Sequence, residues 1–299
     1  MTTNSPQTRT TTFAVFSTIA AFTIWGLSPV YFKQVAHVSP TEVLAHRVIW
    51  SFLLLALVAY VQKEMPVVHQ LLKDRKTLLT LTVTAVIIGL NWLVYIWSIT
   101  NNHIVDASLG YYLNPIVNVL LGMIFLKEKL SPMQKLALLL ASAGVAWQVI
   151  SLGRLPAVSL ILAVSFGFYG LIRKRIAAPA VPGLLLETMI MIPLGLGWLL
   201  WLAVQGNSAF VLTDFSTCGW LVLAGVITSA PLLLFTSAAP KLRLTTIGFI
   251  QYLAPTLALM LGVLMYGEPF GHNLQISFGF IWAALLVFSS EAVLKAKAK

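Results

Sequence analysis

Charge is what this chain has least of. Of its 299 residues only 9% are charged, where a soluble globular domain carries roughly 25%. A deficit that large leaves too little polar surface to cover a particle in water. With 59% hydrophobic residues and a mean hydropathy of +0.89, the composition is that of a polytopic membrane protein. Cysteine is nearly absent: Cys218 alone excludes an intrachain disulfide and argues against dithiol redox chemistry. No GxxxxGK[ST] is present, so no ATP-binding module is encoded. HExxH and clustered Cys/His are missing too, and no metal or cofactor is expected. The aspartates, Asp74, Asp106 and Asp214, all sit in loops or at span ends, which excludes a buried aspartyl dyad. Together these gaps argue against an enzyme.

What is present is a series of long apolar runs. A helix needs about 20 mostly apolar residues to cross a hydrocarbon core of about 30 Å. That criterion predicts ten spans, at 13–34, 41–62, 77–99, 106–126, 133–151, 157–173, 183–204, 217–239, 246–266 and 274–294. An even number puts both termini on one side, and the basic residues say which. Sixteen fall on one face: Arg9; Lys63, Lys73, Arg75 and Lys76; Lys127, Lys129 and Lys135; Arg173, Lys174 and Arg175; Lys241 and Arg243; Lys295, Lys297 and Lys299. Lys33 and Arg154 alone fall on the other, and Arg47 lies within a span. Cytoplasmic loops are enriched in Lys and Arg, so both termini are expected in the cytoplasm. The net charge of +10 suits anionic lipid headgroups. No basic stretch is interleaved with stacking aromatics, so nucleic acid is not expected.

The chain repeats itself. YLNPIVNVLLGMIFLKEKLS at 112–131 lies over YLAPTLALMLGVLMYGEPFG at 252–271. At an offset of 140, Tyr112/Tyr252, Pro115/Pro255, Gly122/Gly262 and Glu128/Glu268 coincide. The expected fold class is therefore all-α integral membrane, ten transmembrane helices in two inverted five-helix repeats. The expected units are an N-terminal tail at 1–12, a first repeat at 13–151, a connection at 152–156, a second repeat at 157–294 and a basic tail at 295–299. Inverted repeats are a hallmark of secondary transporters, whose substrate site lies near the midplane between the repeats. A channel or a non-transporting scaffold is the alternative from another class.

Arg47 follows Pro40 by seven residues, about 10 Å into its span at 1.5 Å per residue. An arginine at the centre of a spanning helix costs about 2.5–3.5 kcal/mol on insertion scales, so it must snorkel, pair or line water. Its counterpart at the same offset is Glu187. The two could face one polar cavity, Arg47 binding a substrate carboxylate and Glu187 an amine or a proton. Alternatively each snorkels or fixes helix packing. Tyr111, Asn114 and Asn118 share one helix face beside Pro115; in the second half the corresponding stripe is Gln251, Ala254 and Ala258, polar only at its first position. Trp92 could stack on a substrate or pack in a core. The expected substrate-binding set is Arg47, Trp92, Tyr111, Asn114, Asn118, Gln251 and Tyr252, with Glu187 as the proton-coupling group.

Several stretches carry a family resemblance: IWGLSPVYFK at 24–33, HRVIWSF at 46–52, GLNWL at 89–93, ASLGYYLNPIVN at 107–118, FGFYGLIRK at 166–174, LLETM at 185–189 and GFIQYLAPT at 248–256. With them the chain resembles the EamA-type branch of the drug/metabolite transporter superfamily over essentially its whole length. The resemblance implies a multi-pass permease of the bacterial inner membrane that moves small organic molecules, most often outward. Amino acids or similar zwitterions are the expected substrates, with drug efflux as the alternative, and coupling to protons is open. The membrane glutamate of the small drug-expelling relatives has no match in the first span, while Arg47 does match the EamA pattern.

Overall fold

The computed structural model describes residues 6–100, 104–153, 157–267 and 270–297, and it contains helices with no strand among the described residues. In chain order these are α1 (Pro6–Gln34), α2 (Pro40–Val61), α3 (Met65–Lys73), α4 (Arg75–Thr100), α5 (Ile104–Leu126) and α6 (Pro132–Leu152). Then come α7 (Ala157–Arg175), α8 (Ala180–Val204), α9 (Phe215–Ala238), α10 (Leu244–Gln251), α11 (Leu253–Met260) and α12 (His272–Lys297). Among the described residues nine helical spans are long and apolar enough to cross a membrane, and α5 contributes a shorter apolar segment, Gly110–Leu126. The molecule is a multi-pass helical membrane protein. The expectations for Arg9, Asp106, Arg154, Glu268, Lys295, Lys297 and Lys299 fall outside the residues whose side chains are described.

Helix starts follow local chemistry. Ser39 accepts from the Glu42 amide ahead of Pro40, and Ser131 and Gln134 cap each other's backbone N–H ahead of Pro132. Each expected run falls on helix, with two departures. The stretch before α4 folds as the short amphipathic α3, which buries Val68 and Leu71 against α4 and α8. The run at 246–266 is broken at Tyr252 and ends in a π-turn at Leu261–Met265. Pro255 has no N–H to give the Gln251 carbonyl one turn earlier, so the α-helical ladder cannot pass through this point intact.

In lipid, helices associate through close packing more than through burial of apolar surface, so small residues decide which faces meet. Helix α2 packs on α8 and α9, α1 on α9 and α11, α7 on α4 and α5, α5 on α10, and α6 on α12. A β-carbon at Gly225 would lie 2.6 Å from the Trp50 carbonyl carbon, and one at Gly248 2.8 Å from the Pro115 oxygen. The α2–α9 and α5–α10 crossings therefore depend on glycine.

Basic loops gather at one end. Lys174 Nζ donates to the carbonyls of Ala239 and Leu242, Arg175 to that of Phe125, and Arg243 to that of Lys129 at 2.6 Å. Glu128 accepts from the Leu244 and Thr245 amides at 2.7 and 2.9 Å, capping α10. At the opposite end buried Glu42 accepts from Ser208 and the Ala209 amide, and His37 bonds Thr217.

Candidate functional site

A cavity lies among the helices, bordered by α1, α2, α4, α5, α7, α9 and the α10–α11 joint. It offers about 100 Å³ to the centres of water-sized molecules, enough for several waters or a small organic molecule. Arg47 projects into it from α2. Its Nε donates to Thr228 at 2.9 Å, and its guanidinium lies 4.7 Å from the Trp92 ring centroid and 5.7 Å from that of Phe32. Two aromatic faces and a hydroxyl thus hold the cation while it still borders the cavity.

Trp92, Tyr111, Asn114 and Gln251 border the same space. Tyr111 meets Tyr95 edge-on at 5.7 Å between ring centroids. Asn114 is buried and its Oδ1 has no hydrogen-bond partner. Gln251 accepts at Oε1 from Asn118 at 2.6 Å, which joins α5 to α10. Asn118 itself lies behind that bond, away from the cavity lining. Tyr252 also lies off it: one residue past Gln251 the helix turns by about 100°. Its hydroxyl donates to the Tyr112 carbonyl at 3.3 Å within the core shared with α6 and α12.

Glu187 does not share the cavity with Arg47. It is buried below it, paired with Arg173 at 3.7 Å, and it accepts from Thr84 at 2.5 Å and Tyr169 at 3.3 Å. Between the two sites lies a block of aromatic rings. Phe22, Trp25 and Phe166 form the cavity floor and contact Phe235, which stacks on Tyr169. Tyr169, Phe235, Arg173 and Glu187 are each at most 2% exposed, so this block between the cavity and the Arg173–Glu187 pair is closed to solvent.

Two participants escaped the sequence reading. Thr228 is one of many hydroxyls in apolar helices, and only the packing of α9 on α2 brings it to Arg47. Arg173 sits in a basic run at a helix end, RKR, that looks wholly interfacial. Gly183 was the available signal: without a side chain there, α8 leaves the space that the Arg173 guanidinium fills.

The fold is that of a multi-pass membrane protein with a cavity among its helices, and comparison with known proteins gives its family. Residues 12–150 match the model of the EamA-like transporter family. An "Uncharacterized transporter" of Vibrio cholerae is 47% identical over 92% of this chain and 91% of its own length. Protein RarD of Escherichia coli is 44% identical over 93% of this chain and 94% of its own. "Chloramphenicol-sensitive protein RarD" of Pseudomonas aeruginosa is 27% identical over 95% and 97%. One crystal structure at 18% identity superposes with a TM-score of 0.71, covering 93% of this chain and 97% of the other, which shows a shared fold. The chain belongs to the EamA-like transporter family and is a RarD-like permease of small molecules.

Proposed function

We propose that the protein is a secondary permease of the bacterial inner membrane that moves carboxylate-bearing metabolites outward by alternating access. The observation that carries this reading is Arg47, a guanidinium held at mid-depth by Thr228, Trp92 and Phe32 on the wall of a cavity. Amino acids and other small organic acids both offer the carboxylate; drug efflux would need no such cation.

The helix pairings support two inverted five-helix repeats, 13–151 and 157–294. Exchanging the halves turns α1 on α11 into α7 on α5, α1 on α9 into α7 on α4, and α2 on α9 into α8 on α4. The pairs α2–α8, α5–α10 and α6–α12 map onto themselves. Two charges at matching positions follow the relation: Arg47 bonds a threonine of α9, and Glu187 one of α4. In the reading of both termini as cytoplasmic, the aromatic block and the Arg173–Glu187 pair form the inner gate. Proton coupling at Glu187 would then act on that gate and not on a bound amine. A cysteine in place of Lys129, in a Cys218→Ala background, should be labelled only from the cytoplasm, and one in place of Asn207 only from outside.

The test is counterflow in proteoliposomes with radiolabelled amino and organic acids, wild type against folded Arg47→Ala and Glu187→Gln. Saturable exchange that disappears with Arg47→Ala is the expected result, and undiminished exchange would refute the role. A pH-gradient effect that disappears only in Glu187→Gln would assign the coupling group.

A further inference from the structure

We infer that the cavity takes an organic monoanion: a carboxylate on a flat aromatic body that carries one hydrogen-bond donor and no ammonium group. This rests on the permease reading above and names the substrate class of the same site.

Charge comes first. Arg47 supplies a positive charge, and among the described lining residues no carboxylate answers it. Glu187 is engaged with Arg173, Thr84 and Tyr169 behind the aromatic block, and Glu42 with Ser208 and the Ala209 amide. A monoanion brings the site to neutrality. A zwitterion leaves the guanidinium's charge uncancelled and sets an ammonium near it in a space with little water to screen the repulsion. Aromatic faces can hold an ammonium elsewhere. Here the guanidinium already occupies those of Trp92 and Phe32, the rings beside the place where the carboxylate of an α-amino acid, and so its ammonium, would sit.

Shape and hydrogen bonding give the rest. Rings from Phe22, Trp25, Phe166, Trp92, Tyr95 and Tyr111 surround the space, and such walls favour a flat ring in edge or offset contact. Asn114 Oδ1, buried and unpartnered on the same wall, is an acceptor waiting for a donor. Leaving such an atom unpaired is costly, and a ligand O–H or N–H removes the cost.

The experiment compares four probes of one skeleton on the purified full-length protein, by tryptophan fluorescence and by counterflow: 3-phenyllactate, 3-phenylpropionate, phenylalanine and phenethylamine. The expected order is phenyllactate tightest, phenylpropionate weaker, phenylalanine weaker than phenyllactate by about tenfold or more, and phenethylamine unbound. Arg47→Gln should weaken phenyllactate by about 10–100-fold, the loss of a charge-assisted hydrogen bond. Asn114→Leu should erase the advantage of phenyllactate over phenylpropionate. The wild-type order alone decides the class, so a poorly folding variant leaves the inference testable. Phenylalanine binding as tightly as phenyllactate, in an Arg47-dependent way, would overturn the monoanion inference and leave the permease reading standing. Carboxylate exchange that ignores Arg47 would overturn both. Failure of every acid to bind at millimolar concentration would overturn the inference.

Discussion

Replacing Glu187 by alanine removes the partner of a cation that has no route to water. The Arg173 side chain is 1% exposed, and its Nε and Nη1 have no hydrogen-bond acceptor, so the carboxylate 3.7 Å away is its compensation. Breaking a buried pair from one side costs about 3–5 kcal/mol, most of it from the charge left behind. Tyr169 loses its acceptor as well, whereas Thr84 keeps a bond to the Leu81 carbonyl at 3.0 Å. Glu187→Ala should therefore lower unfolding free energy by about 3–5 kcal/mol. Arg173→Met should cost less, because a carboxyl can take up a proton and keep its bonds to Thr84 and Tyr169. The double variant Arg173→Met/Glu187→Leu should return to within about 1 kcal/mol of wild type, since an apolar pair of similar volume replaces a desolvated ionic one. Equilibrium unfolding in mixed micelles, read as a double-mutant cycle, checks this. A Glu187→Ala loss below about 0.5 kcal/mol, or singles that simply add in the double, would refute the reasoning and mean that water reaches the pair.

Three further outcomes follow from the geometry. Gly225→Ala, whose β-carbon would press on Trp50, should cost about 1–3 kcal/mol, while Gly219→Ala, with nothing within 4 Å, should be neutral or slightly stabilising in the same melt. Glu128→Ala uncaps α10 and should cost about 1–2 kcal/mol; Arg243→Gln, on an exposed side chain 3.8 Å from Glu128, should stay within about 1 kcal/mol. Asp74 and Asp214 are held below the usual carboxylate range, mainly by the hydroxyls and amides of Thr77 and Thr217. A lowered carboxyl pKa stabilises the fold above about pH 3.9 and loses that contribution as pH falls through the lowered value. Melting temperature measured from pH 6 down to pH 3 should fall less steeply in Asp74→Asn than in wild type.

The spans were legible because a bilayer demands length and hydrophobicity, and both can be read along the chain. Arg47 was legible for the same reason: a charge at mid-depth has few places to go. What could not be read was rotation about the helix axis and the identity of partners. Gln251 and Tyr252 are neighbours in sequence, yet one borders the cavity and the other the core beside α6 and α12. Glu187 was singled out, but its partner hides in RKR, where Arg173 turns inward while Lys174 and Arg175 reach for carbonyls at the surface. Three like residues in a row carry no mark of which one faces the interior. Helix α3 was missed because nine residues fall short of a membrane span and were passed over as loop.

Tyr252 donates its hydroxyl to the carbonyl of Tyr112, the residue that occupies its own place in the other half. The break in the helix at Tyr252 is therefore not a loose link, because the residue at the break is tied to α5 and packed in the core beside α6 and α12. That anchor fixes the register of two short helices, and with it the places of Gln251, Ala254 and Pro255 on the cavity wall.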